Sequence, residues 1–306
     1  MNKNIIEFIK YIKLEKRYSS HTIESYQNDL AQFESFLLKY FSTDKIFWHL
    51  VNKKTVRYFM IHLQENGISR RSIARKLASL KSFFKYLVRE EITTQNPTIT
   101  IKTPKFDKKL PEYLTIDEME DLLNLPEHNT FESIRDLALL ELFYGTGIRL
   151  SELINSKLSD ILINENLIRV IGKGQKERVV PLGSMAKKIL EMYLQIRPQY
   201  AGKSVDNVFV LKNGKKMYPM AVQRIVQKYL SQISNIEHKN PHALRHTYAT
   251  HLINAGASIR VVKDLLGHES LSTTQVYTHM SIDHLKSIYK QAHPAASDEI
   301  NHKRRR

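Results

Sequence analysis

His242 and Arg245 lie three residues apart in the stretch Pro-His-Ala-Leu-Arg-His-Thr-Tyr-Ala-Thr-His-Leu that spans 241–252. On a helix that spacing projects both side chains from one face. A neutral imidazole beside a permanently charged guanidinium makes a clamp for phosphate oxygens. Further on, His268 follows a Leu-Gly pair, and Tyr277 stands in Ser-Thr-Thr-Gln-Val-Tyr-Thr-His over 272–279. Far upstream, the run Gly-Thr-Gly-Ile-Arg-Leu-Ser-Glu over 145–152 supplies Arg149 just past two glycines. Such a turn brings backbone close to a ligand, and Glu152 is spaced to hold the guanidinium in place.

These residues need helices and a turn to position them. An apolar helix over 134–143 runs through a core and stops at Gly145 and Gly147, so that Arg149 opens the next segment. Strands are expected over 161–163, 167–171 and 179–182, an antiparallel meander whose second hairpin, Gly-Lys-Gly-Gln-Lys-Glu over 172–177, holds Lys173. That hairpin has neither the glycine spacing nor the following helix of a nucleotide-binding phosphate loop. Helices follow over 185–196, 219–233, 242–254 and 259–266, the last ended by Gly267 directly before His268. Tyr248 and Tyr289 compete with Tyr277 as the reactive tyrosine. Tyr248 falls in the apolar pattern with Leu244 and Leu252 and is expected in the core, and Tyr289 falls in a terminal helix. His246 is expected to be structural, and His251 and His279 to pack or to support the site residues from behind.

The first hundred residues read as four helices. Ile5, Phe8, Ile9 and Ile12 share one side of the first; Ile23, Tyr26, Leu30, Phe33 and Leu37 repeat at helical spacing in the second. A third is expected over 54–64 before Gly67. The fourth, over 69–89, buries Ile73, Leu77, Leu80, Phe84 and Leu87 and carries Arg70, Arg71, Arg75, Lys76, Lys81 and Lys85 on its other faces. Cations without interspersed acids fit DNA phosphate better than a merely solvated face. Pro97, Pro104 and Pro111, with lysines between them, mark a linker over 101–112 and a boundary near Lys108. The domain expectation is 1–100 for DNA binding, 113–295 for catalysis and 296–306 for a basic tail. The fold class is mainly α, with a small three-stranded antiparallel sheet in the second domain.

Bulk properties point the same way. The chain has 306 residues, ample for two cores, and a formal charge of +16. Such an excess calls for a polyanionic partner, most simply nucleic acid. There is no cysteine, hence no disulfide or thiolate chemistry. No apolar run reaches membrane-spanning length, and the opening residues lack a signal-peptide core. A cytoplasmic, nucleoid-associated protein without a membrane anchor is expected.

Arg149, Lys173, His242, Arg245, His268 and Tyr277, in this order and these local contexts, resemble the catalytic set of the tyrosine recombinase family, most closely its bacterial Xer-type subgroup. The resemblance spans nearly the whole chain. It implies a core-binding domain, then a catalytic domain in which Tyr277 is the nucleophile, Arg149 and Arg245 hold phosphate oxygens and Lys173 protonates the leaving oxygen. Glu152 takes a supporting role, and Lys176 and Arg178 look like DNA-backbone contacts, as do Arg70, Arg71, Arg75, Lys76 and Lys81. The implied reaction passes through a 3′-phosphotyrosyl link without ATP, metal or any cofactor. The implied partner is a double-stranded DNA site, worked on by a homo-tetramer or a hetero-tetramer with a second recombinase. Chromosome or plasmid dimer resolution is the expected role. A mobile-element integrase, a type IB topoisomerase-like enzyme and a non-catalytic sequence-specific DNA-binding protein are the alternatives. Small departures are Gln175 at a turn where asparagine is common and a basic tail past the usual end.

Residue chemistry supports the same scheme. Tyrosine has a pKa near ~10, so forming phenolate at neutral pH costs roughly 4 kcal/mol. Clustered cations lower that cost and stabilise the charge that builds around phosphorus.

Overall fold

The structure is a computed structural model, and it describes residues 1–105, 112–172, 175–202 and 204–267. Lys173, His268 and Tyr277 lie outside the described residues, as do Tyr289 and the basic tail. The chain divides into two compact units, Met1–Lys109 and Leu110–Arg306.

Four helices build the first unit: α1 (Lys3–Leu14), α2 (Ser20–Tyr40), α3 (Lys53–Glu65) and α4 (Arg70–Arg89). Each begins where a short polar side chain accepts a main-chain N–H of the first turn: Asn2, Ser19, Asn52 and Ser69. These caps satisfy donors that have no partner inside the helix. Apolar residues at helical spacing then face inward. Phe8, Phe33, Phe59, Phe83, Phe84 and Trp48 interlock edge to face in the middle, with Ile101 closing one side. That geometry adds to the gain from area burial, because ring edges meet ring faces.

The second unit is helical around a small sheet. Thr115 and Glu118 form a reciprocal capping box that opens α5 (Ile116–Asn124). Helix α6 (Phe131–Thr146) crosses the core and is buried from Arg135 onward, with Leu139, Leu140, Leu142 and Phe143 at 1 % exposure or less. It is longer at both ends than its sequence pattern implies. Gly145 continues the helix, and Gly147, with φ +58°, ends it. That left-handed conformation suits glycine, and a Cβ there would run into the Tyr248 ring. Helix α7 (Leu150–Asn155) follows. Strands β1 (Ile161–Leu162), β2 (Leu167–Ile171) and β3 (Glu177–Pro181) make an antiparallel sheet in that order. Ile168 pairs with Val180 and Val170 with Arg178. The first strand stops a residue early because Ile163 enters a 3-10 turn closed by Asn166 at φ +56°. Helices α8 (Ser184–Ile196), α9 (Pro219–Ile233), α10 (Pro241–Asn254) and α11 (Ile259–Leu266) complete the unit. Proline opens both α9 and α10, where its missing N–H costs nothing. The fold class is therefore the expected one, mainly α with a three-stranded antiparallel sheet. No helix among the described residues is long and apolar enough to cross a membrane.

Candidate active site

Helix α10 is the platform. Asn240 accepts the N–H of His242 at 2.9 Å and starts the helix, which leaves His242 exposed on the first turn. One turn later Arg245 lies inward at 8 % exposure. Deeper still, the helix grips the strand of chain that enters the unit. Leu114 donates its N–H to Thr247 Oγ1 at 3.0 Å, and its carbonyl meets His251 Nε2 at 2.8 Å. The other ring nitrogen, Nδ1, faces the Tyr144 hydroxyl at 2.9 Å. Burial pushes the imidazole pKa of His251 down, so the ring stays neutral. With Nε2 as the donor to Leu114, Nδ1 accepts from Tyr144. His251 is thus a clamp, in line with a structural reading, and Tyr248 is a core residue at 3 % exposure.

Arg149 and Glu152 meet it from the other side. Arg149 precedes α7, and its main-chain N–H donates to Glu152 Oε2 at 2.8 Å. Its guanidinium donates to Glu152 Oε1 at 2.9 Å and to the carbonyl of Gly267 at 2.9 Å. Arg245 donates to the carbonyls of Gly147 and Leu266. Arg149, brought 96 positions along the chain to Arg245, therefore shares with it the C-terminal end of α11, where carbonyls have no helical partner. The side chain of Arg149 retains 32 % exposure, a cationic surface open to an anion. Burial lowers the Arg245 pKa to about 10, helped by the charge of Arg149, and the group is still cationic at neutral pH.

Glu152 sits among these cations at 3 % side-chain exposure. Burial alone would raise its pKa, but Arg178 and Arg149 hold it down to about 2. Here the structure departs from expectation. Arg178 does not reach outward as a phosphate contact: its side chain is 10 % exposed and forks onto both oxygens of Glu152, at 2.9 and 2.8 Å. The physical reason is that a buried carboxylate needs its charge matched. Lys176, in contrast, is exposed.

The cations of α4 divide the same way. Arg70, Arg71 and Arg75 are exposed and Lys81 is half-buried. Lys76 turns inward at 12 % side-chain exposure, its Nζ 3.0 Å from Asp29 Oδ1, and so departs from an outward phosphate contact. Asp29 is 1 % exposed and also accepts from Arg75 Nη2 and from the Ser79 hydroxyl, each at 2.8 Å. Asp29 did not stand out in the sequence. Its signal was there, since 26, 29, 33 and 37 share the buried stripe of α2 and an acid on such a stripe needs partners.

Among the described residues, no group of His, Asp and Glu side chains gathers as a metal-ligand set. The positions that the sequence assigns to general acid, second histidine and nucleophile are Lys173, His268 and Tyr277, outside the described residues.

Comparison with known proteins places this arrangement. Residues 112–284 match the model of the phage integrase family, and residues 5–91 match the phage integrase N-terminal SAM-like domain. Tyrosine recombinase XerC of Thermodesulfovibrio yellowstonii is 41 % identical over 300 residues, covering 96 % of this chain and 97 % of that protein. Tyrosine recombinase XerD of Staphylococcus saprophyticus is 38 % identical over 300 residues, covering 97 % of this chain and 100 % of that one. Among solved structures, the Tn1549 transposon integrase in complex with transposon right end DNA shares the fold with a TM-score of 0.72 at 19 % identity, over 93 % of this chain and 98 % of the other. The XerH site-specific recombinase bound to its palindromic difH substrate shares it with a TM-score of 0.70 at 23 % identity, over 91 % and 82 %. The chain belongs to the phage integrase family and is an enzyme of site-specific recombination, a tyrosine recombinase of Xer type.

Proposed function

We propose that this recombinase cuts DNA by attack of Tyr277 on a phosphate held by Arg149 and Arg245. His242 and His268 donate to the remaining oxygens, and Lys173 protonates the departing 5′-oxygen. A 3′-phosphotyrosyl link results, and the 5′-hydroxyl of a partner duplex then displaces the tyrosine. The ester conserves the energy of the phosphodiester, so rejoining needs no ATP. The observation that carries the reading is the meeting of Arg149 and Arg245 at the end of α11, the point from which the chain runs on towards His268. The first unit grips the DNA with the exposed cations of α4. Two protomers on each of two DNA sites, alone or with a second recombinase, would make the working tetramer. Kinship to proteins named XerC and XerD supports chromosome or plasmid dimer resolution as the role.

The test begins by mapping protein-linked cleavage sites across the source genome. A nicked duplex carrying a mapped site should trap a covalent adduct with the unaltered chain. Tyr277→Phe should bind that duplex within about twofold of the parent and form no adduct, because only the nucleophilic oxygen is gone. A phosphotyrosyl peptide recovered from Tyr248 or Tyr289 would overturn the assignment.

A further inference from the structure

Arg178 turns inward, and each of its three guanidinium nitrogens donates a hydrogen bond. Its Nη1 and Nη2 fork onto Glu152, and its Nε donates to the carbonyl of Leu265 at 2.8 Å. Leu265, Leu266 and Gly267 thus give three successive carbonyls to three arginines: Arg178 from β3, Arg245 from α10 and Arg149 from the start of α7. These are the last carbonyls of α11, the partially negative end of that helix, and cations there are favoured. The fit is tight, since a Cβ on Gly267 would come within 3.2 Å of Arg178 Nη1.

The shared carboxylate matters more. Glu152 has two oxygens, and Arg178 claims both with parallel hydrogen bonds, the strongest arrangement open to a guanidinium. Arg149 is left a single side-chain bond, to Oε1. Three guanidinium charges face one carboxylate, so net positive charge survives on the partly exposed Arg149. Remove Arg178, and a buried carboxylate is left with Arg149 as its nearest side-chain partner. It would close on Arg149 bidentately and neutralise it.

We propose that Arg178 is a positioning residue: it occupies Glu152 and the end of α11 so that Arg149 stays oriented and charged for phosphate. This rests on the reading of Arg149 as a phosphate-binding residue given above. The consequence is specific, because it makes the freed Glu152 the cause of the defect.

The experiment uses the full chain and the nicked duplex with its mapped site, under single-turnover conditions at saturating protein. Arg178→Met should bind the duplex within about twofold of the parent, with the same salt dependence, and cleave roughly 30-fold more slowly. Arg178→Lys should recover little of this, since an ammonium has no planar fork. Adding Glu152→Gln to Arg178→Met should recover cleavage by about tenfold, because the uncharged amide no longer traps Arg149. Thermal unfolding and circular dichroism of each variant establish that it is folded, and a double variant slower than the single one would overturn the proposal. So would an Arg178→Met that cleaves at the parental rate once saturated but binds more weakly with a shallower salt dependence, the behaviour of a phosphate contact. Failure of the unaltered chain to form an adduct on any mapped site would instead strike the recombinase chemistry itself.

Discussion

Glu152 shows how much can rest on one carboxylate. It is buried, it accepts from two guanidiniums and one main-chain N–H, and its pKa lies at about 2. An unfolded glutamate titrates near 4.3, so the folded form binds its proton less readily. Linkage then gives the sign. The stabilisation is complete above the unfolded value and is lost as pH falls from about 5 towards 2, with a ceiling of up to about 3 kcal/mol. Glu152→Gln removes that titration and places an amide NH₂ against arginine donors. Denaturant unfolding at pH 7 should show a loss of about 3–5 kcal/mol, the range for breaking a buried pair. The loss should shrink by pH 3, where the carboxylate of the unfolded parent has taken up its proton while the folded one is still largely ionised. A difference independent of pH from 7 to 3 would show that the carboxylate's charge is not what matters. None of this was legible in the sequence beyond the i,i+3 pairing of Arg149 with Glu152. Arg178 lies 26 positions from Glu152, and no periodicity relates a strand residue to a helix residue that far away. On β3 the alternation allowed either an inward or an outward arginine, and the buried acid decided between them.

At the scale of the element, α10 is a rod fixed at its lower end so that its upper end can present chemistry. Thr247 and His251 hold both polar groups of Leu114, while His242 and Arg245 occupy the first two turns. Burial depresses the His251 pKa, so protonation must be forced on the folded state. The clamp therefore contributes fully above the unfolded value near 6.5 and weakens as pH falls below it. His251→Leu leaves the Leu114 carbonyl without its side-chain donor and removes the ring nitrogen that faces the Tyr144 hydroxyl. It should cost about 1–3 kcal/mol at pH 7, the range for buried groups left unsatisfied. The parent should also lose stability from pH 7 to pH 5 more steeply than His251→Leu does. Parallel pH profiles, read by urea unfolding, would show that His251 does not titrate in the clamp. Elements of this kind were largely readable in advance. The spans of α4, α9 and α11 follow from apolar spacing, caps and a stop at Gly267, all of which are local. The length of α6 was not, because a helix buried on every side has no exposed polar face to mark its ends, and two glycines offered two places to stop. The backbone chose Gly147, where the left-handed turn lets the Tyr248 ring pack close.

Over the whole molecule, a charge of +16 has to be apportioned before it means anything for binding. Some of the cations are internal: Lys76 is drawn to Asp29, and Arg178 to Glu152. Others, Arg70, Arg71 and Lys176 among them, stand exposed. Only exposed cations can displace counterions from a duplex, so only they set the salt dependence of affinity, by about 0.9 in the log–log slope for each phosphate neutralised. The sequence lists all of these residues alike, and the packing separates them. Arg70→Ala with Arg71→Ala should therefore make the slope shallower by about 2 and weaken binding to every duplex, whatever its sequence. Lys76→Met should leave the slope unchanged within error, although its charge change is as large as either single substitution. Arg75 stands between the two cases, being ion-paired yet with 49 % of its side chain exposed, and Arg75→Ala should change the slope by less than 1. Measuring dissociation constants from 50 to 300 mM salt for the four proteins decides the matter. Equal slope changes per charge removed would mean that net charge alone governs the encounter with DNA, and the inward pairing of Lys76 would then have no bearing on how the first unit binds.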